Sequence, residues 1–268
     1  MSALQFDLKG RPDQRLDLSA LVPAQLAGLS RKEIEGLAIG TTREKLTVGD
    51  AFKVKGKDAE QLRFVGTDDR CDKIGTGLAG GEIVVDGNAG AYLGAGMKQG
   101  RIEVAGSCGT LTAASMSGGH IAVRRNVGDQ ACGVAIGDTM GMKGGFVTIG
   151  GNAGALLGER MRRGLVVVGG DAGDYAGGRM IAGTLLLKRK VGRYAGYGCR
   201  RGSLIFMEKP RHILPTFADC GVMEFDYLRL LETWLRGQGL RIGLGGRARR
   251  FMGDMAVLGK GEMLILAR

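Results

Sequence analysis

The chain is poor in the residues from which active sites are built. Among 268 residues there are two histidines, one tryptophan and four prolines, and aromatics amount to 5%. His212 lies in Pro210-Arg-His-Ile-Leu-Pro215 with no serine, cysteine or carboxylate motif beside it, so no nucleophilic triad is recognisable. Five cysteines occur without a CxxC pair, which speaks against zinc or iron–sulfur ligation, and paired acids such as Asp68-Asp69 read as a turn. These counts leave no catalytic residue and no metal ligand set to nominate. Long apolar runs are also missing, and the polar start from Met1 to Gly10 is unlike a signal peptide, so the expectation is a chain outside the membrane, in the cytoplasm, with reduced cysteines. Scarce aromatics and the lack of a stacking motif count against nucleic acid, despite a net charge of +11.

Glycine is abundant, at 50 residues, and it is periodic. A 19-residue repeat starts at Gly81, Gly100, Gly119, Gly145, Gly164, Gly183 and Gly202. Each start precedes an apolar alternation, from Ile83/Val85 through Val166/Val168 to Leu204/Phe206, which reads as a short strand with one face buried. Glycine returns at the tenth position, and methionine at the seventeenth as Met97, Met116, Met142, Met161 and Met180, with Cys199 in the sixth unit. Cys108 falls where other units have alanine or valine, and Cys132 where they have glycine or alanine, so these thiols read as small core residues. The third unit keeps register only if extra residues near Gly133 to Thr139 protrude as a loop.

Units this short cannot hold separate cores and must stack on their neighbours. The expected fold is mainly β: a right-handed parallel β-helix, a single-stranded solenoid of about seven 19-residue rungs, with an N-terminal cap and a C-terminal helix and extension. Residues 1–59 are expected to form the cap, 60–207 the β-helix and 208–268 the C-terminal part. A hexapeptide β-helix needs an aliphatic residue every sixth position, and collagen a three-residue glycine period; neither frame is present. The Gly-x-x-Gly strings open strands rather than helices and lack Gly-Lys-Ser/Thr, which excludes phosphate loops.

The flanks carry local signals. Leu4, Phe6 and Leu8 alternate as in a strand, Ser30 with Glu33 makes a capping box, and Gly49-Asp50 before Phe52 and Val54 leads into another strand. Leu62, Phe64, Gly66 and Gly80 suit an irregular rung ahead of the regular ones. From Cys220 to Arg236 helical spacing places Leu228, Leu231 and Leu235 on one face beside Trp234, with Gly237 as the stop.

Two surface features follow from the register. Lys98, Lys143, Arg162 and Arg200 share position eighteen and should line one edge, with Arg163 and Arg201 next to them and Arg160 and Arg179 nearby. Such an edge is either a solvated face or a dock for acidic subunits or a polyanionic carrier. Arg124 and Arg125 match Lys188, Arg189 and Lys190 in register, as candidate interface residues. The outward positions Val167, Leu186 and Ile205 would form an exposed apolar ladder, covered either by a terminal segment or by another subunit, and they too are candidate interface residues. Alternation places His120 on the outside.

Gly-x-Ile-x-Val-x-Gly-Asn-Ala-Gly-x-x-x-Gly, as in Gly81 to Gly94, resembles the GXGXG β-helix shared by glutamate synthase large subunits and the C subunits of formylmethanofuran dehydrogenases. The stretches Leu21 to Ile34, Val48 to Phe52, Leu214 to Phe217 and Gly253 to Glu262 resemble the stand-alone C subunits over almost their full length. The basic, Arg/Ala/Gly-rich composition leans towards the bacterial branch of that family, found in formyltransferase/hydrolase complexes. The resemblance implies one-carbon metabolism: transfer of a formyl group from formyl-tetrahydromethanopterin to a methanofuran-type carrier, followed by release of formate. It implies a hetero-oligomer whose chemistry is done by a formyltransferase subunit and an amidohydrolase-like metal-dependent subunit, with this chain as a non-catalytic scaffold. It also implies that metals sit in the partners, and it gives Arg162, Arg163, Arg200, Arg201, Lys98 and Lys143 a hypothetical ligand in the carrier's polyglutamate tail. Two alternatives stay open: the C subunit of a tungsten or molybdenum formylmethanofuran dehydrogenase, and a small-molecule enzyme with a site between solenoid and caps.

Overall fold

The computed structural model describes residues 2–267. Its largest feature is one 13-stranded, mostly parallel sheet, accompanied by a two-stranded pair and few helices. The N-terminal part comprises β1 (Ala3–Leu8), β2 (Leu16–Asp17), α1 (Pro23–Leu26), α2 (Arg31–Glu35), α3 (Val48–Ala51) and β3 (Phe52–Lys55). α2 starts where the capping box predicts: the Ser30 hydroxyl accepts from the Glu33 amide, and the Glu33 carboxylate accepts from the Ser30 amide at 2.7 Å. Thr47 and Asp50 cap α3 in the same way.

The repeats follow as β4 (Asp58–Val65), β5 (Cys71–Asp72), β6 (Ala79–Asp86), β7 (Gln99–Val104), β8 (His120–Val123), β9 (Phe146–Ile149), β10 (Leu165–Val168), β11 (Thr184–Leu187) and β12 (Arg201–Phe206). From β4 through β12, leaving out β5, each strand pairs in parallel with the next, and Leu62, Ile83, Ile102, Ile121, Val147, Val166, Leu185 and Leu204 stand side by side. These side chains are buried, as the alternation predicts. A second line of parallel bridges joins Ala89, Cys108, Val127, Ala153, Ala172 and Val191, so Cys108 is held in a small-residue column. Beside it, Asn88, Asn126 and Asn152 each accept through Oδ1 from an amide of the next repeat, at 2.9, 2.8 and 2.8 Å. That reach explains the Gly-Asn step of the motif.

The first glycine and the methionine of the repeat form one device. Gly145 has φ +93°, and a Cβ there would lie 2.7 Å from Met116 Cε and 2.9 Å from the Gly119 carbonyl oxygen. The same encounter recurs for Gly119 with Met97, Gly164 with Met142, Gly183 with Met161 and Gly202 with Met180. Glycine therefore lets each methionine of one repeat reach under the strand entry of the next. All five methionines and Cys199 are fully buried.

The C-terminal part departs from expectation in two respects. The chain forms β13 (Ala218–Glu224), α4 (Asp226–Gly237), β14 (Arg247–Gly253) and β15 (Lys260–Leu266). First, residues 218–224 are a strand rather than the beginning of the helix; they lie at the edge of the sheet, antiparallel to β14. Second, β15 returns to lie parallel to β12, with Gly261 beside Gly202 and Met263 beside Leu204, and so continues the repeat register from a distant segment. Of the two covers that the sequence allows for Val167, Leu186 and Ile205, a terminal segment or another subunit, the structure has the terminal segment. The three side chains are buried in a second core with Phe146, Leu228, Leu235, Ile242, Leu244, Ala248 and Leu264. The physical reason is coverage: α4 and the segment leading into β14 lay their apolar side over the ladder, removing it from water at a gain of roughly 1.5–3 kcal/mol per large side chain. At the other end, β1 pairs in parallel with β4 and antiparallel with β3, and Phe6 stacks on Phe64 at 5.0 Å between centroids.

Candidate functional site

The edge at the strand entries is built from turns whose backbone is left-handed at fixed places. At repeat position sixteen, Gly96 and Gly198 have φ +65° and +66°, whereas Ser115, Arg160 and Arg179 hold φ +52°, +52° and +53°. A non-glycine residue there costs on the order of 1–3 kcal/mol, and arginine occupies it in two successive repeats. Hydrogen bonds between repeats hold the turn, including Arg160 N to Gly178 O at 3.0 Å and Arg179 N to Tyr197 O at 2.6 Å.

Two cavities open along this edge, separated by the seven-residue insertion. The first, about 570 Å³, is lined by Arg160, Arg179, Arg200, Tyr197, Asp254 and Val257 among others. Arg179 pairs with Glu159 at 2.8 Å. Asp254 is buried and accepts from the amides of Gly198 at 3.0 Å and Ala256 at 2.9 Å. Burial pushes its carboxyl up, but these and other hydrogen bonds outweigh that and hold it below the usual carboxylate value. It is thus an anionic brace behind a guanidinium-rich wall.

The second cavity, about 830 Å³, is lined by Lys73, Tyr92, Lys98, Ser117, Ile136 and Lys143 among others. Lys143 bonds Asp138 at 2.9 Å, and this bond, followed by the Thr139 amide, brings the Asp138 carboxyl down to about 2. The insertion forms a loop, as its excess over the repeat predicts. The Ser115 hydroxyl clamps it, accepting from Ala135 N and donating to Met140 O, each at 3.0 Å. Ala135 to Asp138 face the second cavity and Thr139 faces the first.

The structure thus divides the basic residues singled out in the sequence. Arg200 belongs to the first cavity, and Lys98 and Lys143 to the second. Arg162, Arg163 and Arg201 are exposed, Arg162 with Nη1 3.7 Å from Met140 Sδ. Arg124, Arg125, Arg189 and Lys190 are exposed and Lys188 is half-buried; all follow the strands, away from the strand-entry edge. Periodicity does not place Asp254 beside Tyr197 and Arg200, because the repeat frame gives no sign that the segment after β14 returns to this edge.

Neither histidine is arranged for proton transfer. His212 is exposed. His120 stacks on Phe146 at 4.7 Å, its Nδ1 lies 3.2 Å from Arg101 Nη1, and its Nε2 is buried without a partner. Burial first, and then the positive Arg101, lower its pKa, so the ring is held neutral. Among the described residues, no group of three or more His, Cys, Asp or Glu is placed to hold a metal ion, and no helix is long and apolar enough to cross a membrane.

No protein-family model matches the chain. It is 44% identical to the Fhc C subunit of the formyltransferase/hydrolase complex of Methylorubrum extorquens over 269 aligned residues, covering 100% of both chains. A chain in the crystal structure of the formyltransferase/hydrolase complex FhcABCD from Methylorubrum extorquens, in complex with methylofuran, superposes with a TM-score of 0.94. The superposition has 39% identity and covers 98% of this chain and 100% of that one. The C subunit of the tungsten-containing formylmethanofuran dehydrogenase 2 of Methanococcus maripaludis is 30% identical over 96 residues, 35% of each chain.

Proposed function

Because this chain belongs to the family of Fhc C subunits of formyltransferase/hydrolase complexes, we propose that it is the non-catalytic scaffold of such a complex. The observation that carries this reading is the correspondence along the whole length, through both flanks as well as the repeats. The match to the tungsten-type dehydrogenase spans about a third of the chain and gives that alternative no comparable support. On this reading the chain joins a formyltransferase subunit and an amidohydrolase-like metal-dependent subunit. These move the formyl group from formyl-tetrahydromethanopterin to a methanofuran-type carrier and release formate, in the cytoplasm. The related complex from Methylorubrum extorquens was crystallised with methylofuran.

The parallel register from β4 to β12 and the second line of bridges support a right-handed parallel β-helix, since parallel crossovers are right-handed in nearly all proteins. The frame 60–207 would be this solenoid, with 1–59 as the cap at one end and 208–268 as cover and cap at the other.

The carrier's acidic tail is read onto Arg162, Arg163, Arg200 and Arg201, with Lys98 and Lys143 further along the edge. Guanidinium groups suit carboxylates because their planar fork meets two oxygens at once. Native pull-down of the tagged chain from its host should bring down transferase and hydrolase subunits, while the purified chain alone shows no formyl-transfer or formate-releasing activity. Activity of the lone chain would replace the scaffold with an enzyme. Charge reversal of Arg162, Arg163 and Arg201, which do not border the first cavity, should leave assembly intact and reduce carrier retention at least tenfold; unchanged retention would remove the tail from this edge.

A further inference from the structure

The turn that follows β14 has a buried centre and an apolar exterior. Its backbone is fixed by several hydrogen bonds: Met255 N to Thr216 O at 3.0 Å, Val257 N and Gly259 N to Asp254 O at 3.1 and 3.0 Å, and the Gly198 and Ala256 amides to the Asp254 carboxylate. Yet Met255, Val257 and Leu258 are 57%, 44% and 60% exposed. Three large apolar side chains held in fixed positions and turned towards water are a preorganised contact rather than a loose loop.

The patch continues on its neighbours. Val257 shares the first cavity with Tyr197, whose ring meets that of Tyr175 edge-on at 6.0 Å, and Tyr175 stacks on Tyr194 at 4.9 Å. These three tyrosines are themselves exposed. Arg160, Arg179 and Arg200 border the same cavity. Tyrosine, methionine and arginine around an apolar centre is the composition of a protein-binding hot spot.

We propose that the ridge formed by Tyr175, Tyr194, Tyr197 and the Asp254–Leu258 turn docks a partner protein that presents an apolar pocket ringed by carboxylates. Charge decides between this occupant and a second copy of the chain. Two copies meeting on this face would oppose arginines to arginines, at a cost that a pocket bearing acids converts into attraction. The inference rests on the scaffold reading and assigns that scaffold a particular face.

Hydrogen exchange followed by mass spectrometry, on the free chain and on the assembled complex, tests it. In the complex, amides in 194–200 and 254–259 should exchange at least tenfold more slowly than in the free chain. The triple variant Met255→Ser/Val257→Ser/Leu258→Ser alters only exposed side chains, so the free variant should keep the wild-type melting temperature while one partner protein binds at least tenfold more weakly. Unprotected amides, or assembly unaffected by the triple variant, would overturn the proposal. So would protection that arises in the free chain as its concentration rises, because the occupant would then be a second copy. If the wild-type chain enters no complex at all, the scaffold reading falls and this face falls with it.

Discussion

At the scale of single residues, glycine is required where a neighbouring repeat comes too close. Gly145→Ala would place Cβ against Met116 Cε and the Gly119 carbonyl at a backbone angle of +93°, whereas Gly66 has φ +73° but open space around its missing Cβ. Gly145→Ala should therefore cost about 3 kcal/mol, combining strain with overpacking, against about 1 kcal/mol for Gly66→Ala; denaturant midpoints measure both. The thiols form a second contrast. Burial pushes Cys71, Cys108, Cys132 and Cys199 up to about 12, while Cys220 is exposed. Thiol titration of the native chain at pH 8 should give one fast equivalent, and the other four only on unfolding. His120 links the fold to pH. Its folded pKa lies below 6.5, so the unfolded chain takes up the proton first: the stability it contributes is present above pH 6.5 and is lost as pH falls through the lowered folded value. His120→Phe should make the melting temperature less sensitive to pH as it falls below 6.5.

At the scale of elements, periodicity made the strands readable because each repeat restates the same burial, from Ile83/Val85 to Leu204/Phe206. Capping at Ser30 was readable because its hydrogen bonds span only three residues. β13, β14 and β15 were not, because their partners are remote in sequence: Val222 pairs with Arg249, and Leu204 with Met263. β13 is an edge strand with mostly exposed side chains, so its residues carry no core pattern. The basic edge could be read as a column, but its division into two cavities depends on the insertion and on Asp254, neither of which follows the repeat. α4 covers the apolar ladder through Leu228 and Leu235, whereas Leu230 is 71% exposed. Leu235→Ala should destabilise by about 2–5 kcal/mol and Leu230→Ala by less than about 0.5 kcal/mol, with Trp234 fluorescence following the transition.

At the scale of the whole molecule, the sheet ends are closed by antiparallel strands, β3 at one end and β13 with β14 at the other. Lys53 and Lys55 on β3 are exposed, and charge on an edge strand discourages addition of further strands. The sheet is thereby kept from growing at its ends, which leaves its long sides for contact. A net charge of +11 makes that contact sensitive to salt. Between 0.1 and 1 M salt the screening length shrinks from about 10 to about 3 Å, so association with an acidic partner should weaken markedly, while intrachain coverage by α4, being apolar, should not. Native mass spectrometry and melting curves at the two salt concentrations separate these effects.

The methionine column has a chemical consequence as well as a packing one. A sulfoxide at Met116 or Met161 would add a polar oxygen where the side chain is sealed against the glycine of the next repeat, so the intact fold shields these sulfurs and their oxidised forms could not refold into it. Met255, by contrast, stands in water. Mild peroxide followed by peptide mapping should mark Met255 first and the column only in chains that have opened, which makes oxidative damage to the column irreversible until a reductase reaches the unfolded chain.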